Sequence, residues 1–130
     1  MRTLATAAAF LIAATAAAPA YATRGELCRP VSGAGPSVSI VIGSSVSSAV
    51  AGVNLIEGGV VRSSFGESAP IAVAQAWIDR HRLWIDIADA NHQRYEAQVR
   101  LAWVGRGRAR HMAGTLTRDG RVFRVRCEES

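Results

Sequence analysis

Residues 95–103 read Tyr-Glu-Ala-Gln-Val-Arg-Leu-Ala-Trp, and their alternation constrains the fold more than any other feature of the chain. Tyr95, Ala97, Val99, Leu101 and Trp103 fall on one side of an extended strand, while Glu96, Gln98, Arg100 and Ala102 fall on the other. Successive side chains of a strand point to opposite faces, whereas helical spacing would mix the two sets. The run therefore predicts a half-buried strand whose first set faces a core.

A second signal lies downstream. Asp119-Gly120 suits a two-residue type I′ hairpin turn, because both residues tolerate positive φ. That turn sets Arg118 opposite Arg121, Leu116 opposite Phe123, Gly114 opposite Val125 and Met112 opposite Cys127. One side of the hairpin then collects Met112, Leu116, Phe123, Val125 and Cys127. The other collects His111, Thr115, Thr117, Arg124 and Arg126. A one-residue slip would scramble both sets, so their clean separation supports the register.

Residues 71–79 and 82–88 read as another antiparallel pair, joined by a turn at Asp79-Arg80-His81-Arg82. Pro70 and the β-branched and aromatic content oppose the helix that the alanines would permit. Val38, Ile40 and Ile42 alternate with Ser37, Ser39 and Val41, giving a further strand. Residues 44–56 fit either a strand or a short helix capped by Ser44 or Ser45. Residues 57–59 and 63–68 read as turn or loop. The fold class expected is all-β, a small antiparallel β-barrel or β-sandwich of roughly six to eight short strands. Aromatic residues are few, so its core must rest on Val, Ile, Leu and Ala.

Length and composition set the remaining bounds. The 130 residues allow a single domain. A composition 49% hydrophobic and 19% charged is not that of a disordered chain. Arg2 followed by an apolar run to Ala18, then Ala20-Tyr21-Ala22, has the form of a secretory leader with cleavage after Ala22. The expected domains are a leader at 1–22 and one β domain at 23–130, with a periplasmic or secreted location. No segment after the leader is long and apolar enough to span a bilayer as a helix. In an oxidising compartment the two cysteines, Cys28 and Cys127, pair most simply as a structural disulfide tying the termini together.

No catalytic set emerges. His81, His92 and His111 share no ligand spacing, and the mixed cluster Asp86, Asp89, Asn91 and His92 lacks the calcium-loop pattern. Residues 66–70 lack the second glycine of a nucleophile elbow. A metal, a cofactor or an enzyme activity is therefore not expected.

The sharpest positive signal is basic. All 15 basic residues are Arg, none is Lys, and the formal net charge is +5. Gly105-Arg106-Gly107-Arg108-Ala109-Arg110-His111 forms a glycine-spaced loop between two strands, with Arg124 and Arg126 on the same sheet face as His111. Guanidinium groups bind phosphate and carboxylate bidentately. Arg106, Arg108, Arg110, Arg124 and Arg126 are thus the expected contact set for an anionic partner or ligand of the cell envelope or an acidic protein. Nucleic acid is not expected, since no aromatic–basic interleaving accompanies the loop. Trp77, Trp103, Tyr95 and Phe123 are expected in the core; Trp84 falls on the polar register with Asp86 and is expected outside.

The leader, the early Cys28 and the last-strand Cys127 make the frame similar to the periplasmic inhibitors of C-type lysozyme. That resemblance covers architecture alone. It implies an enzyme inhibitor as one alternative; a small hydrolase with a concave pocket around Trp84, Asp86 and Asp89, or a purely structural envelope domain, are others. The family's Ser-Gly-x-x-Tyr loop and its lysine region have no counterpart here: Arg94-Tyr95 sits at a strand, and lysine is absent.

Overall fold

A computed structural model describes residues 22–44 and 47–130 of the chain. The strands are β1 (Ala22–Pro30), β2 (Ser37–Ser44), β3 (Ser48–Glu57), β4 (Val60–Ser63) and β5 (Ile71–Ile78). They continue with β6 (Arg82–Asp89), β7 (Tyr95–Val104), β8 (His111–Arg118) and β9 (Arg121–Glu129). These nine strands form one sheet in the order β4-β3-β2-β1-β9-β8-β7-β6-β5, and every ladder is antiparallel. β5 comes round to pack against β3, so the sheet curls into a nearly closed barrel. The expected all-β class holds, as a barrel rather than a sandwich. Nine strands exceed the six to eight expected. The expected leader lies outside the described residues up to position 21, and Ala22 opens β1.

The β8–β9 hairpin has the expected register, with Gly114 opposite Val125, Leu116 opposite Phe123 and Arg118 opposite Arg121. Asp119 and Gly120 both take positive φ, 51° and 72°, as a type I′ turn requires. The 44–56 question resolves as strand over Ser48–Glu57, with positions 45 and 46 outside the described residues. β1 escapes pattern reading because its inward side carries Arg24 and Glu26 before reaching Cys28. Cys28 lies directly opposite Cys127 on β9, and the two form the disulfide.

Aliphatic side chains fill the interior. Val38, Ile40, Val53, Leu55, Leu83, Ile85, Ile87, Val99 and Leu116 are fully buried, each worth roughly 1.5–3 kcal/mol relative to exposure. A small barrel is just wide enough to be filled by such side chains.

Both ends are closed by charged or aromatic groups. At one end Arg118 on β8 donates from Nε to Glu57 Oε1 (2.8 Å) and from Nη1 to Glu96 Oε2 (3.0 Å). Arg94 bonds the other Glu96 oxygen at 3.2 Å, and Arg62 lies 3.7 Å away. Burial pushes the Glu96 carboxyl up, but Arg94, Arg62 and Arg118 outweigh it and hold the group below its usual range. At the other end Trp103 lies between two guanidinium groups, Arg24 at 5.3 Å and Arg110 at 4.5 Å. With the interior filled and both ends occupied, any ligand chemistry belongs to the outer wall or the rims.

Three bulges decide which side chains face out. In β5 the pairing steps from Val73–Ile87 to Gln75–Asp86, so Ala74 is an extra residue. In β7 it steps from Ala97–Ile87 to Tyr95–Ala88, leaving Glu96 extra. β3 carries a third irregularity opposite Val41 and Ile42. Each extra residue reverses the in–out alternation beyond it. Two expectations are corrected as a result. Tyr95 is exposed while Glu96 is buried, and Trp77 stands on the outside, 56% exposed, rather than in the core.

Candidate anion-binding face

The outer wall of β5–β9 is organised in cross-strand rows. One row runs Trp77, Trp84, Arg100, Thr115, Arg124, each directly opposite the next. The row beside it runs Arg82, Ala102, Ala113, Arg126 and, across the β9–β1 ladder, Arg29. A third runs Gln75, Asp86, Gln98, Thr117, Val122. At about 4.8 Å between strands, the first row is roughly 19 Å long. Small side chains (Ala102, Ala113, Thr115, Thr117) leave the middle of this curved wall low, with arginines on both sides and indoles at one edge.

Most of the acids that could neutralise this wall are used elsewhere, although Glu128 follows Arg126 on the same face of β9. Glu57 and Glu96 close one end of the barrel. Asp79 and Asp89 accept backbone N–H bonds in their turns. Glu26 is buried beside Arg24. Asp86 stands on the wall itself, bonded to Arg100 Nη2 at 2.7 Å, and Arg100 Nη1 donates to the carbonyls of Val99 (2.9 Å) and Ile85 (3.3 Å). Among the described residues, Arg29, Arg82, Arg124 and Arg126 have no carboxylate within 4.0 Å, and neither have Arg80, Arg106, Arg108, Arg110 or Arg121. Unneutralised charge is therefore concentrated on this wall and the loop above it.

That loop is shaped locally. Gly105 takes φ of 80°, and a side chain there would press within 2.7 Å of the Ala109 carbonyl, so glycine is required for the chain to turn so tightly. A 3₁₀ turn follows at Gly107–Ala109. The N–H groups of Ala109 and Arg110 bond back to Arg106 and Gly107, so these amides hold the loop together and do not form an anion cradle. Arg110 extends to the Arg80 carbonyl at 3.2 Å and covers Trp103.

Of the five expected contact residues, Arg108, Arg110 and Arg126 line one rim depression of about 390 Å³ with His111. Glu26, Glu128 and Glu129 share that lining and moderate its charge. Arg106 is exposed outside the depression, and Arg124 belongs to the wall. Sequence reasoning missed Arg29, Arg82 and the alignment of Arg100 with Arg124. Arg100 was already on the polar face of its strand, and counting from the Asp119-Gly120 turn would have set it in line with Thr115 and Arg124 only if the β7–β8 register were known.

The aromatic edge is rigid. Trp77 donates its indole N–H to Asp79 Oδ2 at 3.0 Å, while Asp79 Oδ1 accepts the N–H groups of His81 (2.7 Å) and Arg82 (2.8 Å). The His81 N–H, the indole and the Arg82 N–H together hold the Asp79 carboxyl down at about 2. Trp84 is packed by Arg82 at 4.9 Å and Arg100 at 5.3 Å, distances at which a cation is attracted to the ring face. Of the expected pocket around Trp84, Asp86 and Asp89, the first two share a depression and Asp89 lies outside its lining, at the end of β6. Among the described residues no group of three His, Cys, Asp or Glu could hold a metal ion, and no helix is long and apolar enough to cross a membrane. No protein-family model, curated protein or solved structure matches the chain.

Proposed function

We propose that this chain is a non-catalytic binding domain of the cell envelope or the extracellular space, and that its arginine wall takes an anionic ligand or partner. The observation that carries the reading is the register. It brings Arg29, Arg82, Arg124 and Arg126 onto adjoining cross-strand rows of the outer wall, while most of the nearby acids are used in turns and barrel ends. The disulfide and the leader-like first residues support an oxidising, exported setting.

Binding through exposed guanidinium groups displaces counterions, so affinity should fall steeply with salt. With inorganic polyphosphate as probe, log K plotted against log salt is expected to be linear and negative. Replacing Arg124 and Arg126 together by Ala should weaken binding and flatten the slope by about two. A salt-insensitive interaction, or a double variant that binds like the parent, would count against this face.

A further inference from the structure

Resting on the anion-binding reading above, we propose that the wall recognises an acidic oligosaccharide: a sugar ring stacks on Trp77 and its carboxylates lie along the arginine rows. Three observations point the same way. The first is the place of the indoles. The Ala74 bulge brings Trp77 out directly opposite Trp84, at the end of the row that continues through Arg100 to Arg124. The two indoles, with Gln75, Ala76, Asp86 and Arg100, line a depression of about 530 Å³ that opens onto the wall.

The second is preorganisation. Trp77 is 56% exposed, yet its N–H is fixed to Asp79 and its orientation is set before any ligand arrives. Trp84 already has Arg82 and Arg100 against its ring, which leaves Trp77, the more exposed of the two, as the freer surface for a partner. An aromatic ring already restrained by a hydrogen bond has less conformational freedom to lose on contact.

The third is the mixture of groups. Polyphosphate or a bare phosphate would use the arginines and leave Trp77 idle. A lipid chain would need apolar surroundings, but the indoles are bordered by Gln75, Asp86 and Arg100. A carboxylated sugar has an apolar C–H face for the indole, hydroxyls for Gln75 and Asp86, and an acid group for a guanidinium. The length of the row suits a short oligomer rather than one ring.

The test uses the full exported chain with its disulfide intact. Calorimetry and tryptophan emission would be followed against a galacturonate oligomer, its methyl-esterified neutral form, and inorganic polyphosphate. The galacturonate oligomer is expected to bind and shift the emission, and the neutral form to bind far more weakly. Trp77→Ala should weaken the acidic oligomer about tenfold while leaving polyphosphate within about twofold. Trp77→Phe, which keeps a ring, should recover most of the loss. If polyphosphate binds but the galacturonate oligomer does not, or if Trp77→Ala leaves its affinity unchanged, the glycan assignment is overturned and the anion face stands. If neither probe binds, both readings fall.

Discussion

Glu26 is a carboxylate inside an aliphatic barrel, 4% exposed, with the Arg24 guanidinium 3.7 Å away. Burial pushes its carboxyl above the usual range; Arg24 opposes this and Glu129 adds to it. Folding therefore favours the protonated form. The native state binds more protons than the unfolded chain between the ordinary carboxylate value and the raised one, so stability falls as pH rises through that window. Glu26→Gln keeps the shape and removes the charge. It should raise stability at neutral pH by roughly 1 kcal/mol and give no gain below about pH 4, where Glu26 is already protonated. Urea midpoints at the two pH values test this; a loss at neutral pH would mean that the attraction to Arg24 exceeds the cost of burial. The same scale shows where pattern reading stops. Tyr95 was assigned inward by counting alternate residues and Trp77 as an aromatic expected in the core, and one extra residue in each strand set them outside.

Among the strands, β8 shows how a local choice sets a neighbour's distance. A Cβ at Gly114 would fall on the carbonyl oxygen of Arg100, so β8 lies too close to β7 at this point for any side chain. Glycine inside a strand normally costs stability relative to alanine. Here the sign should reverse: Gly114→Ala is expected to destabilise by roughly 1–3 kcal/mol, because backbone cannot move aside as a flexible side chain can. Gly43→Ala in β2 is the comparison, since the nearest atom to its Cβ is the Ala49 carbonyl oxygen at 3.9 Å. That change should be neutral or slightly stabilising. Equal losses from both variants in chemical denaturation would refute the close approach. The strands legible in the sequence were those with one apolar and one polar side. β1 was not, because its inward positions include Arg24 and Glu26, and a strand whose buried side is charged carries no alternation signal.

For the molecule as a whole, the β1–β9 ladder is the junction that matters. It joins the β1–β4 half of the sheet to the β5–β9 half, and the Cys28–Cys127 bridge, with a sequence separation of 99, crosses it. Closing so long a loop restricts the unfolded chain, an effect of roughly 4–5 kcal/mol in the chain-entropy view. Replacing both cysteines by Ala should lower the unfolding midpoint accordingly. Amide exchange should rise first in β1 and β9, the two strands of the junction. An unchanged midpoint would show that the ladder alone holds the two halves of the sheet together.

The sequence by itself determined the fold class, the β8–β9 register, the cysteine pairing and the excess of arginine over acidic residues. These follow from local chemistry: period-two patterning, a turn that needs positive φ at two positions, and two thiols in one chain. Only the tertiary structure decided which arginines share a face, that Trp77 stands outside, and that the barrel interior is filled. Those outcomes depend on where strands of distant sequence meet and on the bulges at Ala74 and Glu96. A bulge adds one residue to one strand only, so it is defined by the partner's register and leaves no periodic mark in its own sequence.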